Sequence, residues 1–352
     1  MARSWRFRPR GGHGSQALMS LFDLLACPVT GETLIPDGDA LVTPSGRRYR
    51  VQDGVPILTP VADQEITHEH PVTVRKDFEP TIQFVVDSLP KDRRILDLGS
   101  GNRDTDDPRV VRMDPMLSPY VDIVGDAHQL PFQDESLDMV YATAVFEHLH
   151  HPFEAAREIW RVLRPGGYAL VDCNFVFPFH GYPAVYFNAS TEGMRQLFED
   201  FRELIVVVPP WQGPSFGIDA ILSEYLQAFH PRTPEQHEFA AALRAIREYP
   251  LLEYDALLDP AGAERIAAGV TYFGVKQPSE GDSLYPACVL DAWRRREDLQ
   301  ARFPDPALLL DMTTPSPDNL FRWAMSPDAD AEAGIVAWRD AVVPWHRSGE
   351  AT

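Results

Sequence analysis

The sequence predicts an α/β protein built on an open, doubly wound sheet. Three observations carry that expectation. A short apolar strand, Ile95–Leu98, runs into a glycine turn within the stretch RILDLGSG (Arg94–Gly101). Acidic residues, Asp114 and Asp126, close the next two apolar runs. An amphipathic segment, Phe153–Leu163, then separates two further runs of strand character. Small residues after a strand let the backbone approach a ligand closely. In such sheets ligands collect at the carboxyl ends of the strands.

Composition narrows the class. The chain has 352 residues, is 44% hydrophobic and 24% charged, and carries a net charge of −20, a soluble globular profile with room for more than one unit. Such an acidic chain repels phosphate backbones, and no run of Lys and Arg interleaved with aromatics relieves it, so no nucleic-acid partner is expected. The three cysteines, Cys27, Cys173 and Cys288, are far apart. They form neither a disulfide framework nor a four-ligand zinc site, which fits a reducing cytoplasm. No apolar run approaches the ~20 residues that span a bilayer, so no membrane role is expected. Residues 1–18 carry Arg3, Arg6, Arg8 and Arg10 without a following apolar segment. They read as a disordered basic arm, not as a secretory signal.

Residues 19–60 read as a β-rich mini-domain. Turn signals at Thr30-Gly31, Asp37-Gly38, Ser45-Gly46 and Asp53-Gly54 separate short apolar or alternating runs. On LLACPVTGETL, GRRYRV and DGVPIL, this unit resembles the Trm112-like family of zinc-ribbon-derived domains. Many members bind zinc through paired cysteines; only Cys27 stands here, so the resemblance implies a metal-free module for docking or stabilisation. Residues 61–80 read as a polar linker, and Thr81–Leu89 has helical spacing.

The main unit is expected over 81–277. After Gly101, Asn102–Arg109 (NRDTDDPR) leaves room for at most one helical turn before the strand Val110–Met113. The crossover between parallel strands usually takes a dozen or more residues, so the first crossover helix is predicted to be missing. Tyr120–Val124 and Met139–Ala144 read as the third and fourth strands. Phe153–Leu163 reads as a helix that turns Ile159, Val162 and Leu163 to the sheet. Pro165-Gly166-Gly167 is expected to stop that helix before a fifth strand, Tyr168–Cys173. Thr191–Asp200 is expected to be a helix capped by Thr191. Leu204–Val208 reads as the sixth strand and Val270–Lys276 as the last. The stretch between them, 209–269, reads as a helical insert or lid, with helices over Ala220–Phe229 and Glu235–Glu248. Residues 278–352 form a C-terminal extension.

The strand ends supply the candidate chemistry. A carboxylate closing the second strand, Asp114, suits a ribose diol, since its two oxygens accept from two hydroxyls. Asp126 can accept from an adenine amine, and Ala127 leaves room for the ring. A dinucleotide wants a helix N-terminus for its pyrophosphate. With no room for that helix, a ligand without phosphates fits better. His150 and His151 invite a metal reading, but their spacing from His148 at a helix start is poor for joint ligation, and no metal is expected.

At these residues the chain resembles the class I S-adenosylmethionine-dependent methyltransferases, specifically the type-11 family. The resemblance covers roughly residues 93–201 and rests on ILDLGSG, GDAHQLPFQDESLDMV, FEHLHHP and REIWRVLRPGG. It implies a Rossmann-like seven-stranded methyltransferase sheet with S-adenosylmethionine as cofactor. Asp97, Gly99 and Gly101 would line the methionine part, Asp114 would hold the ribose, and Asp126 with Ala127 the adenine. Ser100, Pro115, His128, Ala144 and Phe146 complete the expected lining. The departures are the short crossover and Arg103, which stands where a third glycine is common. His180, in the loop after the fifth strand, is expected to take the proton from an acceptor hydroxyl, with His148 beside it. The implied activity is O-methylation of a small molecule or glycan in glycan or secondary-metabolite biosynthesis, and a homodimer is a further expectation. The alternatives are N-methylation, methylation of RNA or a translation factor, and a non-catalytic cofactor-binding scaffold.

Overall fold

Short apolar runs broken by turn residues fold as hairpins at the start of the chain. The computed structural model describes residues 21, 23–61, 74, 86, 89–90, 92–180, 184–249 and 254–276. Its first strands are β1 (Ile35–Asp37), β2 (Ala40–Val42), β3 (Arg48–Gln52) and β4 (Val55–Leu58), each antiparallel to the next. Asp53 and Gly54 join β3 to β4 with φ of 52° and 84°. Two positive-φ residues make the tight turn whose twist matches the flanking strands.

The main sheet follows: β5 (Ile95–Leu98), β6 (Val110–Asp114), β7 (Ile123–Gly125) and β8 (Leu137–Thr143). Helix α1 (Pro152–Val162) leads to β9 (Leu163–Asn174), and α2 (Thr191–Leu197) leads to β10 (Arg202–Val207). Helices α3 (Pro214–Ala228), α4 (Pro234–Arg247) and α5 (Pro260–Arg265) precede β11 (Gly269–Val275). The strand order is β1-β2-β3-β4-β7-β6-β5-β8-β9-β11-β10, one 11-stranded sheet. From β7 to β9 all neighbours are parallel, while β11 enters antiparallel between β9 and β10. The central strands β5 and β6 are buried at every residue, as a parallel sheet covered on both faces requires.

The connection from β5 to β6 contains no helix. It returns through turns and extended chain from Gly99 to Arg109, as the sequence spacing requires. The N-terminal strands join the same sheet. β4 pairs in parallel with β7, Ile57 opposite Val124, and Leu25 bridges to Phe132. Leu25, Leu41, Tyr49 and Leu58 share a hydrophobic cluster with Leu96, Ile123 and Val140. Cys27 is buried, with Sγ 3.0 Å from the Tyr49 hydroxyl and 3.4 Å from the Thr30 amide that donates to it.

Several boundaries differ from those the sequence suggests, each for a local reason. β7 starts at Ile123, because the Asp122 carboxylate takes the Arg112 backbone N–H and caps its guanidinium. β9 starts at Leu163, directly after α1, and the register against β8 shifts so that residues 164–167 bulge out. The cap of α2 is Ser190, whose side chain accepts from Gly193 N; Thr191 bonds Glu264 instead. The helices of the insert begin at prolines, Pro214 and Pro234, which sit at the first helical turn. The expected arm at 1–18, most of the linker 61–80, most of the stretch Thr81–Leu89 read as helical, Cys288 and the extension 278–352 lie outside the described residues. No helix among the described residues is long and apolar enough to cross a membrane.

The shared core predicts one cooperative unfolding transition for hairpins and sheet. Leu58→Ala should lower stability by about 2–5 kcal/mol. Chemical denaturation followed by circular dichroism and tryptophan fluorescence checks this. Coincident curves, both shifted, are expected.

Candidate functional site

The parallel run from β7 to β9 places five strand ends along one edge, and the predicted residues line it. The turn after β5 has two left-handed residues, Gly99 (φ 67°) and Gly101 (φ 55°). A Cβ on Gly99 would overlap Val145 Cγ2, so glycine is needed for space as well as for conformation. The turn folds back onto the end of β6. Gly99 N and Ser100 N both donate to Met113 O, at 2.8 and 3.1 Å. Ser100 Oγ is buried and has no hydrogen-bond partner among the described residues.

Asp114 ends β6 and braces this turn. Its Oδ2 accepts from Gly101 N at 3.0 Å and its Oδ1 from Met116 N at 3.0 Å. Pro115, next along, is exposed. Asp97, 1% exposed, accepts from Arg103 Nε at 2.7 Å. The Arg103 guanidinium is itself buried and lies 5.7 Å from the Tyr141 ring centre. Sequence reasoning marked Arg103 as a departure but missed its partner. The six-residue separation within a glycine turn carries no helical or strand periodicity that would signal the pair.

Asp126 follows β7. Its Oδ1 accepts from the backbone N of His128 at 2.9 Å and meets His128 Nδ1 at 2.6 Å. The His128 ring stands 4.3 Å from His150, which is 4.6 Å from His151. Ala127 is buried beside them. His150 and His151 thus associate with His128.

The end of β8 carries a second polar group. Ala144 takes φ 53°, a left-handed conformation for a residue with a Cβ, and turns the chain out of the strand. Phe146 points inward, 5.3 Å from Phe198. Glu147, fully buried, receives Asn174 Nδ2 on Oε1 at 2.6 Å. Its Oε2 has no partner among the described residues. Burial, with Asp172 nearby, pushes its carboxyl up to about 7. His148 and His180 come together with rings 5.1 Å apart, one from the end of β8 and one from the loop after β9. Burial lowers the His148 pKa. His180 Nε2 lies 3.8 Å from Glu147 Oε1. Glu147 and Asn174 are the residues that sequence reasoning missed. Glu147 stands beside His148 in FEHLHH, and its burial was the missing signal.

Residues 105–171 match a family described as a methyltransferase domain. A stretch of 48 residues is 35% identical to malonyl-[acyl-carrier protein] O-methyltransferase of Marinomonas sp. (strain MWYL1), covering 14% of this chain and 18% of that protein. The chain therefore matches under a fifth of that relative's length. Among solved structures it is similar to a SAM-dependent methyltransferase from Thermotoga maritima, described as a possible histamine N-methyltransferase. The identity is 20% and the TM-score 0.33, over 56% of this chain and 88% of that one. It is also similar to the complex of the Haloferax volcanii Trm112 methyltransferase activator with a methyltransferase. There the identity is 14% and the TM-score 0.35, over 56% of this chain and 89% of that one. With its strand order and this family match, the chain has a Rossmann-like methyltransferase fold.

The glycine turn gives a test of the packing at this edge. Gly99→Ala should cost stability through its left-handed φ, about 1–2 kcal/mol, and through the Val145 contact, about 1–3 kcal/mol. Adding Val145→Ala should recover the second part and leave the first. Melting curves of the single and double variants measure the split.

Proposed function

We propose that this chain moves a methyl group from S-adenosylmethionine to a hydroxyl oxygen of a small-molecule or glycan acceptor, in glycan or secondary-metabolite assembly. The observation that carries the reading is the convergence of the glycine turn, Asp97, Asp114 and Asp126 on one sheet edge, the last two inside the matched methyltransferase segment.

The residues fit the cofactor chemically. Asp97 and Arg103 are a matched carboxylate and guanidinium, the complement of an amino-acid ammonium and carboxylate. Asp114 suits the ribose diol, and Asp126 with Ala127 the adenine. Ser100 Oγ, a buried polar atom without a partner among the described residues, is the kind of group a ligand satisfies. When bound, the cofactor supplies an activated methyl on a sulfonium. The chain's own task is then to position the acceptor and exclude water. Phe177 stands 5.1 Å from Phe216 and 5.3 Å from His180, an apolar wall on the acceptor side. Glu147, His148 and His180 are the polar groups that meet the acceptor oxygen there.

Two finer parts of the reading rest on sequence. Leu21–Leu58 serves as a Trm112-like module without zinc, held against β7 by the parallel pairing of β4. The three scattered cysteines support a reducing, cytoplasmic setting.

Calorimetry with S-adenosylhomocysteine tests the cofactor site. Wild type should bind, and Asp114→Ala should weaken binding tenfold or more, roughly 1.4 kcal/mol. No binding by wild type would overturn the reading and favour a scaffold without methyl transfer. For the acceptor side, methyl-labelled cofactor is incubated with candidate glycans and followed by mass spectrometry. His180→Ala should lower transfer by about 10²-fold or more while homocysteine-cofactor affinity stays within about threefold.

A further inference from the structure

The acceptor-side cluster has the features of a ligand set. One atom each from Glu147, His148 and His180 lie within 4.8 Å of one another, and they form the one such His/Cys/Asp/Glu group among the described residues. The two imidazoles are oriented alike. His148 Nδ1 lies 2.7 Å from Ala184 O, and His180 Nδ1 lies 3.1 Å from Pro178 O. A carbonyl oxygen only accepts, so each Nδ1 carries a proton, and in the neutral ring Nε2 holds the lone pair. A backbone carbonyl on the second ring nitrogen is the usual support of a metal-bound histidine.

The alternative partners do not satisfy the cluster. His180 Nε2 and Glu147 Oε1 are 3.8 Å apart, beyond hydrogen-bond range. Asn174 Nδ2 lies 3.5 Å from that same Nε2 and donates to Oε1. The Asn174 amide, a donor, faces that nitrogen as it would a lone pair. No Lys or Arg pairs with Glu147 among the described residues. Its Oε2 is buried with no hydrogen-bond partner there. A fully buried carboxylate with one bare oxygen calls for a compensating cation or a proton.

We propose that Glu147, His148 and His180 bind one divalent transition-metal cation at the carboxyl ends of β8 and β9. Two imidazoles and one carboxylate select borderline cations such as Mn²⁺, Fe²⁺, Co²⁺ or Zn²⁺ over Ca²⁺ and Mg²⁺, which favour all-oxygen shells. Three protein ligands leave coordination positions open to an acceptor oxygen or water. In this arrangement both histidines act as ligands, and His180 is no longer a free base. The cation's part in methyl transfer rests on the functional reading above; its binding does not.

The test uses the full, tag-free chain, stripped with a chelator and titrated separately with Mn²⁺, Co²⁺ and Zn²⁺ by calorimetry. One equivalent should bind with a dissociation constant of about 10 μM or tighter, and bound Co²⁺ should show visible absorption bands. His180→Ala and Glu147→Gln should each weaken binding by about tenfold or more, while His237→Ala, on the outer helix α4, should not. Glu147 is buried, so melting curves accompany each variant. His180 is on a loop and a third exposed, so its variant keeps the fold and remains decisive. No binding below about 1 mM, or unchanged affinity in folded His180→Ala, would overturn the proposal. Titration with S-adenosylhomocysteine on the same samples separates the two readings. Metal binding without cofactor binding would remove the methyltransferase reading and leave the cation site standing.

Discussion

The Asp114 carboxylate at the end of β6 holds the glycine turn at the end of β5, and the functional edge depends on that brace. A parallel pair ordinarily gains its connection from a helix that packs back on the sheet. Here the chain between Leu98 and Val110 has no helix, so the turn must be fixed from the other side. Gly101 N bonds Asp114, Gly99 N and Ser100 N bond Met113 O, and Arg112 reaches back to Arg103 O. The Arg103–Asp97 pair closes the same loop. One strand end thereby organises both the local backbone and the groups assigned to the cofactor.

The edge is also where buried carboxylates are handled in two different ways. Asp97 is compensated by an adjacent guanidinium inside the protein. Breaking such a pair by removing one partner is strongly destabilising, because a bare charge remains behind. Glu147 has an amide on one oxygen and nothing described on the other, and burial raises its pKa. The first arrangement is closed, whereas the second is open to an outside ligand. Under the proposed reading, that contrast separates a site that a zwitterion would enter by competing for existing bonds from one that a cation would complete.

How much of this was readable from sequence depends on the range of the interaction. The central strands were legible because Ile95–Leu98, Val110–Met113 and Met139–Ala144 are apolar runs with clear breaks. The missing crossover helix followed from chain length alone. The pairing of β4 with β7 was not legible, since Ile57 and Val124 meet across distant chain with no local signal. The shortened start of β7 came from the Asp122 side chain competing for a ladder hydrogen bond. At the site, the carboxylates ending strands were visible as residue types in order. Their partners were not: Arg103 turns onto Asp97, and His148 meets His180 because β9 returns beside β8. The strand alternation in between gives no hint of either contact.

The most direct test of the account is a crystal structure of the chain soaked with S-adenosylhomocysteine. Ligand density is expected against the Gly99–Gly101 turn, with the Asp114 carboxylate on the ribose and Arg103 drawn from Asp97 toward the ligand carboxylate. An Asp97–Arg103 pair left unchanged, with the ligand absent from this edge or bound elsewhere, would contradict it.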